Sequence, residues 1–154
     1  AEAQAARATL HMDLGEAGMA EAALNEALRI NPYYLPALLN LADLYRASGR
    51  DAAAEPLLAR AIEAVPDAVE ARTARGLWLV RQGRLDAALA DLEAAWRTAP
   101  WLASSAYVYA IALHSAGASD AALQVLAAAL EDNPGEPRLV QTAASIAREA
   151  GRTP

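Results

Sequence analysis

The chain has 154 residues, 19 acidic against 13 basic, a net charge of −6 and no cysteine. That balance argues against a nucleic-acid partner, because phosphate binding draws most of its affinity from counterions released by a basic stripe. The missing thiols exclude disulfides and thiolate metal sites and leave the redox compartment open, while 55% hydrophobic residues are ample for a core at a length that can bury roughly 70% of its unfolded surface.

No apolar run approaches the roughly 18 to 20 residues of a membrane span, and the start AEAQAARATL lacks a signal-peptide pattern. The expectation is a soluble chain without direct membrane insertion, with the bacterial cytoplasm and periplasm both open. All 13 basic residues are Arg, whereas helix propensity alone would favour Lys equally, so the bias points to a GC-rich bacterial genome. The chain does not begin with Met, and it starts and stops within a regular array, as an excised or mature segment of something longer would.

The array is set by punctuation. Gly15, Gly49, Gly83, Gly117 and Gly151 recur at one interval of 34 residues, as do Pro32, Pro66, Pro100 and Pro134. A fixed period of this size marks a supersecondary unit that buries its apolar face only by stacking on its neighbours. The repeats are read as 1–34, 35–68, 69–102 and 103–136, followed by a helix over 137–150, all in one domain.

In the first repeat, Gln4, Arg7 and His11 stand where the second has Leu38, Leu41 and Tyr45, which predicts a worn, partly solvated first helix. The second repeat is the clearest. Leu38, Leu41, Leu44 and Tyr45 form a helical stripe over 35–48, and Gly49 ends it by taking a left-handed conformation. Asp51 is predicted to cap the next helix, whose stripe is Ala54, Leu57, Leu58, Ala61, Ile62 and Val65. Pro66 closes that helix, and Pro56, inside it, predicts a kink near Ala52.

In the third repeat Arg72 and Arg75 break the first-helix stripe. Three columns hold through all four second helices: Ala20, Ala54, Ala88 and Ala122; Leu24, Leu58, Leu92 and Leu126; Ala27, Ala61, Ala95 and Ala129. Small columns allow close helix approach and the Leu fills the groove. In the last segment Leu139, Val140, Ala143, Ala144, Ile146 and Ala147 are read as one face. Arg138, Gln141, Thr142, Ser145, Arg148 and Glu149 form the other, the pattern of a polar-backed cap, with plain truncation before a partner helix as the alternative.

With the small residues Ala8, Ala42, Gly76, Ala110 and Ala144, the large apolar Tyr45, Leu79 and Leu113, and the closing prolines, the chain resembles the tetratricopeptide repeat family along essentially its whole length. The resemblance implies an all-α fold: an α-solenoid of antiparallel helical hairpins, four repeats plus a capping helix, wound as a right-handed superhelix. It also implies that first helices line a concave groove for a peptide or protein segment. By matching columns that surface would present Ala5, Thr9 and Met12 in the first repeat, then Leu39, Asn40, Asp43 and Arg46, then Thr73, Leu77 and Val80, then Tyr107, Ile111 and His114.

Leu39, Leu77, Val80, Tyr107 and Ile111 are large and apolar where the repeat's own core does not require it, which favours a hydrophobic guest; the competing reading is that they only pack. Asp43 and Arg46 are spaced as a surface helical pair. Asn40 occupies a column where chaperone-binding members place an asparagine that grips a terminal carboxylate. The basic residues of that clamp are replaced by Glu70 and Ala74, so an acidic tail would be repelled. Tyr33, Tyr34, Trp101 and Leu102, just after prolines, are read as folding over adjacent helix ends rather than as contact anchors.

No enzymatic signal emerges. His11 and His114 lie in the first and fourth repeats, too far apart in a stack for a shared metal or triad, and no glycine-rich phosphate loop is present. His114 could tune binding with pH, or be an ordinary solvated surface histidine. The leading reading is a non-enzymatic interaction scaffold without cofactor whose partner is a protein or peptide. The alternatives are a structural module joining copies into a homo-oligomer, or an accessory segment of a larger bacterial enzyme. The runs NPYYLPALLNLADLYRASGR and YVYAIALHSAGASDAALQVL also bear a weaker likeness to repeats appended to periplasmic multihaem cytochrome-type proteins, although the chain has no CxxCH.

Overall fold

The computed structural model describes residues 1–151. Among them run nine helices, α1 (Glu2–Asp13), α2 (Ala17–Ile30), α3 (Leu35–Ala47), α4 (Asp51–Ala64), α5 (Val69–Arg81), α6 (Leu85–Thr98), α7 (Ala103–Ser115), α8 (Ser119–Asp132) and α9 (Pro137–Ala150), and no strand. The fold is an all-α helical repeat. Two compact units divide it within α5, the first covering Ala1–Ala74 and the second beginning at Arg75.

Each hairpin turns in the same way for the same reason. Gly49 has φ 74°, a conformation costly for any residue with a Cβ. It lets the Arg50 amide donate to the Tyr45 carbonyl at 2.8 Å and its own amide to Arg46 at 3.2 Å, the paired bonds that satisfy a helix's last carbonyls. The same pair of bonds recurs at Gly15, Gly83 and Gly117. Between hairpins the prolines occupy the second position of four-residue turns: the amides of Tyr34, Ala68, Leu102 and Glu136 donate to Asn31, Val65, Ala99 and Asn133. Pro presets φ at that position, so it shapes the turn as well as ending the helix before it.

Within the first unit, α1 packs on α2, α2 on α3 and α3 on α4; in the second, α6 packs on α7, α7 on α8, and α8 and α7 on α9. The columns Ala20/54/88/122, Leu24/58/92/126 and Ala27/61/95/129 are all buried. Gly76 shows how close the approach is: a Cβ there would meet the Leu92 side chain at 2.5 Å, so this position admits no side chain unless Leu92 moves.

Several expectations are corrected. Asp51 is the first residue of α4, and the N-cap, Arg50, makes no side-chain cap bond; the carboxylate sits in the first turn, where its charge suits the helix dipole. Pro56 lies inside α4, as placed from the sequence, and both it and Ala52, whose carbonyl loses its usual helical donor, are on the exposed side. Val65 is exposed rather than part of the core stripe, since it has left the helix as its extended C-cap.

The two faces read in α9 are also redrawn. Only Leu139 and Ile146 are buried, Val140, Ala144 and Ala147 face solvent, and the nominally polar Thr142 and Ser145 are half-buried. Leu139 and Ile146 occupy the columns of Ala37 and Leu44 on α3, the helix packed on by the preceding α2. Ala144 occupies the column that Ala8, Ala42 and Ala110 bury within their own hairpins.

Candidate interaction surface

In the first unit, α1 and α3 carry the surface. Ala5 is buried, so it backs the face rather than lining it, while the Thr9 hydroxyl is turned onto the Ala5 carbonyl at 3.2 Å. Met12 from the end of α1, Gly15 and Ala17 from the turn, and Asp43, Leu44, Arg46 and Ala47 from α3 enclose a hollow of about 240 Å³. Asp43 accepts from the Arg46 guanidinium at 2.9 and 3.1 Å. This i,i+3 pair neutralises itself along the rim, worth about 0.2–0.5 kcal/mol at such exposure. Leu39, Asn40 and Thr73 are half-buried outside this hollow, and the Thr73 hydroxyl oxygen has no hydrogen-bond partner.

A brace on α2 and α3 holds this unit. Arg50 donates to both Glu21 oxygens at 3.0 and 2.8 Å and lies 4.4 Å over the Tyr45 ring. The guanidinium holds the Glu21 carboxyl below its ordinary range, and burial pushes the Tyr45 phenol up. Tyr33 lies beside Arg60 of α4, its ring 5.9 Å from the guanidinium, with its hydroxyl 3.4 Å from Glu63. It folds over the next hairpin, as read for the turn aromatics.

In the second unit the surface spreads from α7 onto α9. Ile111 and His114 line a hollow of about 340 Å³ together with Gln141, Thr142, Ser145, Ile146 and Glu149. The His114 Nε2 lies 2.9 Å from the Glu149 carboxylate and Nδ1 2.9 Å from the Ser119 hydroxyl. In the neutral ring Nε2–H therefore donates to the carboxylate, and Nδ1 accepts from Ser119. The His114 bond is the main reason the Glu149 carboxyl sits below the usual range. Tyr107 lies under the Arg138 guanidinium at 5.2 Å. Leu77 and Val80 are half-buried outside this hollow.

Of the ten groove residues expected from sequence, Asp43 is exposed and the other nine are half-buried. Gln141, Thr142, Ser145 and Glu149 belong to the face read from sequence as the back of a cap, and they are the residues of this hollow that sequence reasoning missed. Gln141 and Ser145 were findable, being the 34-residue translations of Tyr107 and Ile111. Asp91 was missed as well: it is 4% exposed and accepts a bidentate bond from Arg75 at 2.6 and 2.7 Å. That carboxylate is the main cause that raises the Arg75 guanidinium pKa. Arg75 and Asp91 stand where the second repeat has Leu41 and Leu57.

Both hollows fall at or below the low end of the roughly 300–1,000 Å³ typical of small-molecule pockets; each has room for one or two side chains of a larger guest. Among the described residues no group of three or more His, Cys, Asp or Glu could hold a metal ion, and no helix is long and apolar enough to cross a membrane.

No curated protein sequence matches the chain. Its structure is similar to TTC0263, a thermophilic tetratricopeptide-repeat protein of Thermus thermophilus, with TM-score 0.81 and 26% identity over 96% of this chain and 81% of that one. It is also similar to PilF of Pseudomonas aeruginosa, with TM-score 0.87 and 17% identity over 97% and 68%. A third likeness is to YrrB, described as a tetratricopeptide-repeat protein with an unusual peptide-binding site, with TM-score 0.72 and 22% identity over 95% and 76%. Proteins of this kind are in general interaction scaffolds rather than enzymes. The tetratricopeptide repeat profile matches residues 11–77 and 79–146, and with the positive-φ glycine turns and the small–leucine–small columns this shows that the chain belongs to the tetratricopeptide repeat family.

Proposed function

We propose that this chain is a protein-interaction module that holds a peptide or protein segment against the first-helix faces of its repeats. The observation that carries this reading is the state of the ten candidate residues: none is fully buried, so large apolar side chains such as Leu39, Leu77 and Ile111 keep open surface that no internal packing consumes. Each unit offers a hollow with apolar walls and a polar rim, Met12 and Leu44 beside Asp43 and Arg46, and Ile111 beside His114, Gln141 and Ser145. Such a surface suits a guest with apolar side chains whose backbone or polar groups meet the rim. The description of YrrB as a peptide-binding protein agrees with this reading.

Selection from a random peptide library against the full chain tests it. Selected peptides should bind Leu77→Asp or Ile111→Asp at least tenfold more weakly than the parent, with helical content and melting cooperativity intact. Equal binding to parent and variants would remove the first-helix faces from the account.

A further inference from the structure

Resting on the peptide-holding reading above, we infer that the hollow between α7 and α9 takes a lysine side chain of another polypeptide, with its hydrocarbon stem against Ile111 and its ammonium at Glu149. The hollow is apolar at its base and rich in acceptors at its rim. Ile111 and Ile146 supply the base, and Glu149, Gln141 and Ser145 stand around them. The Glu149 carboxyl sits below the ordinary carboxylate range, so it carries its charge at neutral pH. No arginine lines the hollow, and the neighbouring Arg148 turns its Nε onto the Ala144 carbonyl at 3.2 Å.

The open acceptors select an ammonium over a guanidinium. Glu149 Oε2 is committed to the His114 ring at 2.9 Å, whereas Oε1 has only a long contact of 3.4 Å from Ser145 Oγ. A guanidinium pairs best with both oxygens of a carboxylate at once, and one of the two is taken here. An ammonium is a compact charge whose three donors need not lie in a plane. It can divide them among Oε1, Ser145 Oγ and the carboxamide oxygen of Gln141, a side chain with no hydrogen bond among the described residues.

Glu149 is what sets this hollow apart. Met12, Asp43, Leu44 and Ala47 precede His114, Ser145, Ile146 and Glu149 by three repeat steps, and they line the hollow of the first unit. The hollow therefore belongs to paired first helices and persists where α4 follows α3. In that unit the Glu149 column is Ala47, and the one lining carboxylate, Asp43, is neutralised by Arg46 on the same wall at 2.9 Å. A cation finds no net charge there. Lysine is absent from all 154 residues, so a second copy of this chain cannot supply the ammonium, and the occupant is a different polypeptide.

The probes are peptide pools with random flanks and one fixed central residue, lysine, norleucine or arginine, each passed over the immobilised full chain. Norleucine keeps the stem and drops the ammonium. The lysine pool should be retained about fivefold more than either of the others, the upper end for an ion pair as exposed as this one. Glu149→Gln, whose amide oxygen still accepts from His114, should bring the lysine pool down to the norleucine level, and Gln141→Glu should enlarge the preference. Glu131→Gln, which removes the same charge from the exposed side of α8, should leave it intact. Circular dichroism of each variant checks that the fold survives. Retention of the lysine pool no better than the norleucine or arginine pool overturns the inference and leaves peptide capture standing, whereas retention of no pool overturns both. A lysine preference that survives Glu149→Gln also overturns it, because the net charge of −6 would then be its source.

Discussion

At the residue scale, the Arg75–Asp91 pair shows how one repeat substitutes charge for an apolar contact. Leu41 and Leu57, the matching residues of the second repeat, are buried hydrocarbon; Arg75 and Asp91 answer each other with a two-pronged ion pair. Removing one partner should be costly because the other is left desolvated without compensation. Asp91→Ala is expected to lower stability by about 3 kcal/mol, at the low end of the range for buried pairs because the Arg75 side chain is one-third exposed. The double variant Arg75→Leu with Asp91→Leu should restore parental stability or exceed it. Chemical denaturation of Arg75→Leu, Asp91→Leu and the double variant reads the cycle, and a double variant as weak as those singles would contradict this account. Ser105 presents the converse case. Its hydroxyl is fully buried with no hydrogen-bond partner, in a column that is Ala37 and Ala71 elsewhere. Ser105→Ala should stabilise the chain by about 1 kcal/mol, raising the urea midpoint; an unchanged or lower midpoint would show that the hydroxyl is satisfied in solution.

At the element scale, α1 and α9 differ from the helices between them. α1 buries only Ala5 and Ala8, whereas α3 and α7 each bury five residues. α9 is held by two buried side chains and by the polar link from Glu149 to His114 on α7. That link carries a pH dependence with a definite sign. A carboxyl whose folded pKa is depressed contributes stability above its unfolded value, about 4.3 for glutamate, and loses it as pH falls through the lower folded value. Carbon-detected NMR titration should find the Glu149 midpoint below 4.3 in the parent and near it in His114→Ala. A midpoint unmoved by the substitution would mean that the hydrogen bond is not maintained in solution.

At the scale of the whole molecule, the repeat and the hairpins were legible before any coordinates, because they rest on local rules. A glycine is needed where φ is positive, a proline suits the second place of a turn, and small or leucine columns at 34-residue steps declare which faces must be shared. Gly49, Pro66, Ala61 and Leu58 each carry one of those rules alone. The candidate surface was legible only in part. Asp43, Arg46, Ile111 and His114 could be placed by column, as could Gln141 and Ser145 once the columns of Tyr107 and Ile111 are carried into α9, but Glu149 could not be told from a solvent-facing back. Amphipathic pattern says that a helix has two faces; it does not say which neighbour each face meets. For α9 the stripe joined Val140 and Ala144 to Leu139 and Ile146, and only packing against α7 and α8 separated the covered pair from the uncovered one. The sequence by itself therefore determined the period, the hairpin and the family. Tertiary structure alone decided that Asp91 completes Arg75 and that α9 adds a polar wall to Ile111, because burial depends on which helix lies opposite, and a chain position does not encode its own neighbour.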